Sequence, residues 1–147
     1  MRLTVEDATI EHVRMVLDDI RPADLREWYA ASGQSFEVSV VQAFEGGDPK
    51  RVALLDGVRP LVFWGWDMKG DIWLFATETA ERCAYTLHRI LKGELERITK
   101  GRDRVTATAD DRNVKHHRWL RWLGFRPEKQ VLLAPFGLPF TVFTKEA

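Results

Sequence analysis

The sequence has a single cysteine, Cys83, and no long apolar run. One cysteine excludes a disulfide within the chain. The longest stretch without charge, Val131 to Thr144, has 14 residues with two prolines and a glycine, too few to span a bilayer. The amino terminus carries no apolar segment of the secretory kind. We therefore expect a soluble intracellular protein that is not secreted and has no membrane partner.

The chain also has no net charge, because 22 Lys and Arg balance 22 Asp and Glu. The two signs are nevertheless separated: residues 1–81 hold 8 basic and 15 acidic side chains, whereas residues 82–130 hold 13 and 6. Such asymmetry is typical either of a polyanionic partner or of two halves that pack together. Zero total charge gives little long-range attraction to nucleic acid. Packing of the halves is favoured, and nucleic acid is kept as a less favoured partner.

A length of 147 residues predicts one domain over 1–147. Apolar spacing predicts helices after Thr9, Pro22 and Ser35, and the Asp56-Gly57 turn predicts a hairpin. The second half alternates between the two periods. Its predicted elements are a strand at Asp71–Ala76, a helix from Glu78 to about Ile98, a strand at Arg104–Ala109, a helix at Arg112–Leu123, and strands at Phe125–Ala134 and Phe140–Lys145. This order predicts an α/β (α+β) fold with a mixed central sheet of about six or seven strands flanked by helices.

The segment from Val105 to Phe125 resembles the GNAT family of N-acetyltransferases, in which a strand is followed by an asparagine and a helix ending in Gly-Phe. Asn113 and Gly124-Phe125 stand at that spacing. The resemblance implies a GNAT-like domain. It also implies an acetyl-CoA site, if acyl-CoA binds, at Phe75, Ala76, Thr77 and Asn113.

A narrower likeness covers nearly the whole chain. Asp111-Arg112-Asn113, Arg118-Trp119-Leu120 and Trp122 to Phe125, with Trp73-Leu74 and the segment Gly137 to Phe143, look like the gene-thirteen-type family of short-tailed bacteriophages. That family is described as internal virion or virion-assembly proteins. The likeness implies a non-catalytic role, other phage virion or assembly proteins as partners, and a location in the host cytoplasm during assembly or in the virion interior.

The stretch that corresponds to the family's pyrophosphate loop argues against an enzymatic interpretation. GNAT enzymes use a Gln/Arg-x-x-Gly-x-Gly/Ala loop, whose glycines let backbone N–H groups approach phosphates. The equivalent stretch here, 76–83, has no glycine, and Glu78 and Glu81 would repel an anion. GNAT enzymes often have a tyrosine seven residues after the asparagine, and it protonates the leaving thiolate. Leu120 stands at that position here and cannot donate a proton.

The leading hypothesis is therefore a non-catalytic phage protein with no cofactor, and whether the chain is an enzyme stays open. The alternative is an acetyl-CoA-dependent N-acyltransferase with an atypical pyrophosphate loop. Its catalytic residues are unknown, with Glu37, Glu45 and Asp67 as candidate bases.

Two further patterns have competing interpretations. His116 and His117 are adjacent, so on a helix they point about 100° apart and do not form a metal site. Arg112, Lys115, Arg118 and Arg121 form a basic stripe beside Trp119 and Trp122. The stripe could bind phosphates while the rings stack on bases. The favoured interpretation is a solvated basic face opposite two buried tryptophans.

Overall fold

The computed structural model describes residues 2–147. Its strands and helices follow one another in the order that the sequence predicts. They are β1 (Leu3–Asp7), α1 (Ile10–Arg14), α2 (Pro22–Ser32), α3 (Phe36–Glu45), β2 (Lys50–Leu55), β3 (Arg59–Trp66), β4 (Asp71–Ala76), α4 (Ala84–Thr99), β5 (Arg104–Asp110), α5 (Val114–Trp122), β6 (Arg126–Leu133) and β7 (Leu138–Glu146). Within this part of the chain, no helix has the length and apolarity that crossing a membrane requires.

Local sequence signals explain most of the element boundaries. The side chains of Thr9 and Ser35 accept hydrogen bonds from the first turns of α1 and α3, as N-caps do. Gly33 ends α2 in the left-handed region, at φ 72°. Asp56 and Gly57 both have positive φ, 52° and 75°, which matches the hairpin turn expected between β2 and β3.

Two predicted helix starts are displaced. Residues Thr79–Cys83 form a 3-10 turn, so α4 begins at Ala84 instead of Glu78. The carboxylate of Asp19, from the first half of the chain, accepts hydrogen bonds from the backbone and hydroxyl of Thr79. These hydrogen bonds hold Thr79 in the 3-10 turn. The sequence around Thr79 does not reveal them, because Asp19 is distant along the chain. Asn113 caps α5, so Arg112 lies outside the helix.

The seven strands form one sheet in the order β1-β2-β3-β4-β5-β7-β6. This confirms the predicted mixed sheet of about six or seven strands flanked by helices. Only β4 and β5 are parallel, and their pairing is limited to Asp71 with Thr106 and Ile72 with Ala107. Beyond these pairs the two strands separate. We call the gap between residues 73–76 of β4 and 108–110 of β5 the splay.

Alternate residues of the central strands serve two cores. Trp64, Leu74 and Ala76 belong to the cluster that includes side chains of α4 and α5. Phe63 and Phe75 belong to the cluster that includes side chains of α1 and α3. The apolar run of β4 is therefore buried on both faces, as its sequence predicts.

Gly65 of β3 allows an unusually close contact across the sheet. It pairs with Trp73 of β4, and a Cβ atom built at position 65 would lie 2.4 Å from the Trp73 indole. The indole can therefore lie over Gly65 of the neighbouring strand. It also stacks on Phe75 of its own strand, at 5.7 Å between ring centroids.

Candidate functional site

The splay is crossed by polar side chains from α5 and from the start of α2. All of them are buried, with 1 to 5% of their surface exposed. We call this set the buried network; its members are Arg21, Asp24, Glu27, Asn113 and His116. Three of them recur at intervals of three residues from the start of α2, so they share one face of that helix.

Asp24 joins three parts of the fold. Its carboxylate accepts hydrogen bonds from the backbone N–H of Ala76 at 2.8 Å and from the side-chain amide of Asn113 at 2.9 Å. It also accepts two from the Arg21 guanidinium, at 2.9 and 3.0 Å. Asp24 thus ties the end of β4 to α2 and to the start of α5.

Glu27 does the same for β5. Its carboxylate accepts hydrogen bonds from the N–H of Asp110 at 2.9 Å and from the Asn113 amide at 3.2 Å. It also lies 2.8 Å from Nδ1 of His116. Because β4 and β5 do not pair across the splay, these two carboxylates provide the acceptors that a neighbouring strand would otherwise provide.

The charges of the buried network favour a protonated histidine. Burial disfavours the imidazolium, but the adjacent carboxylate of Glu27, helped by Asp24, outweighs it and raises the pKa of His116; Arg21 opposes this effect. With His116 protonated, two cations meet two carboxylates out of water. A neutral His116 would leave one negative charge in excess.

The second ring nitrogen of His116 has a different environment. Nε2 is buried and has no hydrogen-bond partner among residues 2–147. His116 lines two cavities, one of about 30 Å³ among apolar side chains and one of about 360 Å³ between α2, α3 and the sheet. We call the larger one the aromatic cavity. Its walls include Trp28, Trp73 and Phe140, and Glu27, Ser39 and Gln42 add polar groups.

The loop after β4 uses its backbone N–H groups internally. Those of Thr77 and Glu78 donate to the carbonyls of Leu61 and Asp19, at 2.9 and 2.7 Å. Those of Ala80 and Glu81 donate to Thr77 and Glu78. Burial opposes ionisation of Asp19, but hydrogen bonds from Thr79 and Arg59 lower its pKa, so it stays a carboxylate acceptor. These four N–H groups are therefore not free to bind an anion.

Positive charge lies beside this loop instead. A cavity of about 170 Å³ between the start of α4 and α5 forms what we call the basic groove; it is lined by Arg21, Glu81, Ala84, Lys115, Arg118, Trp119 and Trp122. Lys115 pairs with Glu81 and Arg21 with Asp24. Arg118 makes no ion pair within the described chain. The groove adjoins the splay, since the N–H of Arg21 donates to the carbonyl of Ala76.

The four predicted cofactor contacts lie around the splay but are engaged elsewhere. Phe75 is a core ring, stacked on Phe63 at 4.8 Å. The N–H of Ala76 is held by Asp24, and the Thr77 hydroxyl donates to the Leu61 carbonyl. Asn113 caps α5 and bonds both carboxylates of the buried network. Their role as cofactor contacts stays a prediction.

The other candidate residues are not brought together. Glu37 and Glu45 are exposed on α3, and Asp67 accepts hydrogen bonds from backbone N–H groups in its own turn. Arg112 pairs with Asp110 outside α5, which shortens the predicted basic stripe. Of the two tryptophans, Trp119 is buried but Trp122 is 53% exposed and lines the basic groove. In residues 2–147, no three His, Cys, Asp or Glu side chains form a group that could hold a metal ion.

Solved structures share this architecture over almost the whole chain. yncA from Salmonella typhimurium, solved with acetyl-CoA, is 13% identical, with 98% of this chain and 93% of that chain covered and a TM-score of 0.65. A GNAT phosphinothricin acetyltransferase from Sinorhizobium meliloti, in complex with acetyl-CoA, is 16% identical, with 99% and 89% covered and a TM-score of 0.67. AAC(6')-Ib in complex with ribostamycin and coenzyme A is 13% identical, with 99% and 94% covered and a TM-score of 0.69.

The fold is that of the GNAT acetyltransferases. Neither a protein-family model nor a curated protein matches the sequence. The resemblance to GNAT proteins is thus confirmed at the level of fold, and the resemblance to a phage virion family receives no support. The prediction that the chain uses no cofactor is wrong on these comparisons, since the three GNAT-fold neighbours hold acetyl-CoA or coenzyme A.

Proposed function

We propose that this protein is an acetyl-CoA-dependent N-acyltransferase with an atypical pyrophosphate loop. The observation that carries the proposal is the basic groove, which lies between the start of α4 and α5 and adjoins the splay of a GNAT sheet. Acetyl-CoA would supply the acetyl thioester. The virion role is not favoured by any contact or comparison.

The groove fits an anionic cofactor through side chains instead of backbone. Lys115 and the unpaired Arg118 offer charge-assisted hydrogen bonds to phosphate oxygens. Glu81 reduces this charge but leaves Arg118 available. The exposed ring of Trp122 adds an aromatic face beside them. The side chains thus provide the positive potential that the glycine-free loop does not.

The aromatic cavity indicates the other substrate. A volume of about 360 Å³ suits a small molecule, and the aromatic walls favour a flat apolar body. Ser39 and Gln42 at its polar side can hydrogen-bond an amine. We therefore include arylalkylamines such as tryptamine among the first acceptors to test.

Calorimetric titration with acetyl-CoA tests the proposal directly. We expect saturable binding to the wild-type chain and clearly weaker binding to the double variant Lys115→Ala, Arg118→Ala. The matched control is Arg121→Ala, which removes a cation from the same helix but outside the groove. No binding at millimolar acetyl-CoA, or equal losses in the double variant and the control, would contradict the proposal.

A further inference from the structure

Trp122 is the exposed aromatic ring of the basic groove. It is 53% exposed, whereas the neighbouring Trp119 is buried, with the Arg21 guanidinium 5.2 Å from its ring centroid. Single exposed apolar side chains are common on protein surfaces, so exposure alone assigns no role to Trp122. What distinguishes this ring is its place in a groove that Lys115 and Arg118 also line.

On the basis of the proposed function, we propose that Trp122 is a specificity-determining residue whose indole stacks on the adenine base of acetyl-CoA. The chain would thereby select a thioester that carries a nucleotide over a shorter acyl thioester. Stacking on an aromatic side chain suits this task, because every nucleobase has a π face and no hydrogen-bond pattern has to be matched. The cations of the groove would hold the phosphates and the indole would hold the base.

The order of side chains along α5 matches the order of groups in the cofactor. Asn113 caps the helix at the splay. Lys115 and Arg118 follow in the groove, and Trp122 is the last helical residue. In acetyl-CoA the thioester arm is followed by a diphosphate and then by adenosine. Arg118 and Trp122 are four residues apart, so they share one helix face and lie about 6 Å apart along its axis, close to the length of the ribose that separates phosphate from base.

A contact with α4 positions the indole. The ring of His88 lies 6.1 Å from the Trp122 ring between centroids, with 83° between the two planes. Such an edge-to-face contact is favourable and limits the rotation of the indole about its side-chain bonds. More than half of the ring nevertheless stays uncovered, which leaves room for a base. A ring that is already held in place loses less freedom when a ligand binds to it.

The shape of the groove favours a single cofactor over a nucleic-acid strand. Arg118 has no ion-pair partner in the described part of the chain, and Lys115 shares its charge with Glu81. A single strand also offers bases and phosphates, but it needs a charged track that follows its backbone. The groove is instead a confined space of about 170 Å³ beside the splay, where the proposed function places the thioester.

The main test separates the base from the rest of the cofactor. Acetyl-CoA is compared by calorimetric titration with S-acetyl-4′-phosphopantetheine, which has the thioester arm and one phosphate but no adenosine. We expect Trp122→Ala to weaken the binding of acetyl-CoA about 10-fold and to leave the binding of the shorter thioester unchanged. Trp122→Phe keeps an aromatic ring and should recover most of the loss. Phe136→Ala is the matched control, because it removes a ring of similar exposure, 49%, from the turn between β6 and β7, and it should change neither affinity.

A fluorescence measurement reports the stacking itself. Etheno-coenzyme A carries a fluorescent base, and its emission falls when the base stacks on an indole. At saturation we expect the wild type and Phe136→Ala to quench this emission, and Trp122→Ala to quench it much less. The wild-type measurement stands even if a variant does not fold, since a saturated wild type that leaves the emission unchanged would overturn the inference.

The outcomes separate this inference from the proposed function. A wild type that binds acetyl-CoA, with an unchanged affinity in Trp122→Ala, would overturn the role of Trp122 and leave the proposed function intact. Equal losses for acetyl-CoA and the shorter thioester would mean that the indole shapes the groove without meeting the base, which would also overturn it. Displacement of etheno-coenzyme A by a short oligo(dA) at lower concentration than by acetyl-CoA would assign the ring to nucleic acid instead. A wild type that binds neither coenzyme would overturn both.

Discussion

The buried network and the basic groove both contain charged side chains beside the splay and share Arg21, yet most of their charges differ in exposure and in pairing. In the buried network each carboxylate accepts at least three hydrogen bonds and is out of water. In the groove Lys115 and Arg118 are exposed, and Arg118 has no partner in the described chain. Buried charges here fix the backbone of the splay, whereas exposed charges stay available to a ligand.

The largest effect should come from breaking the buried side of this comparison. Asp24→Ala leaves the Arg21 guanidinium and the Ala76 N–H without their acceptor, while the Asn113 amide keeps only Glu27. Because an unpaired buried charge is costly, we expect the free energy of unfolding to fall by about 3–5 kcal/mol. Urea denaturation measures this. A loss below about 1 kcal/mol would mean that Arg21 finds another partner or reaches water.

The next test uses pH to remove the positive charge of His116 from the buried network. His116 has a folded-state pKa raised above the ordinary value of 6.5. A raised folded pKa stabilises the protein fully below about 6.5, and this stabilisation is lost as pH rises through the folded pKa. The difference in unfolding free energy between wild type and His116→Asn should therefore shrink between pH 6 and pH 9. A gap that is constant with pH, or that widens, would show that His116 is buried neutral. His88→Asn controls for general pH effects.

The groove should respond through binding and not through folding. We expect Arg118→Ala to weaken the binding of acetyl-CoA by about 1 kcal/mol, roughly 5-fold. The effect is small because solvent screens an exposed charge. Its melting temperature should stay within error of the wild type. Added salt should weaken wild-type binding more than binding to the variant, since the variant has one contact fewer to screen. An equal salt dependence in both proteins would place the phosphates elsewhere.

The smallest effect is expected for a charge pair remote from both regions. Glu11 and Arg14 form an exposed ion pair on α1. We expect Glu11→Gln to change the free energy of unfolding by less than about 0.5 kcal/mol. This variant measures the baseline against which Asp24→Ala is judged. A change near that of Asp24→Ala would remove the contrast between buried and exposed charges.

The sequence predicts the fold well because the fold depends on local periodicity. The apolar run of β4 and the Asp56-Gly57 turn each specify their own structure. The buried network was missed for the opposite reason. Asp24 and Glu27 look like ordinary solvated helix residues, and only the separation of β4 from β5 makes them acceptors for distant N–H groups. The one local signal was their spacing of three from Arg21, which places all three on one side of α2.

The prediction that the chain uses no cofactor failed for a similar reason, because it considered only neighbouring residues in the sequence. The absence of glycine from residues 76–83 is real, and the loop N–H groups are indeed used internally. The missing glycines argue against binding of a diphosphate by backbone N–H groups, but they say nothing about binding by side chains. Lys115 and Arg118 approach the loop from a helix more than thirty residues later, so local sequence did not connect them with it.

Under the proposed function, the contact between Gly65 and Trp73 would let β3 limit the size of the acceptor molecule. The Trp73 indole is a wall of the aromatic cavity, and it lies where it does because position 65 has no side chain. Even a single methyl group at 65 would push the indole from its place and reshape the space beside it. Gly65 would in this way influence which amines fit, although it does not touch the substrate. Substitutions at Gly65 would therefore change the range of accepted amines without changing any group that takes part in the chemistry.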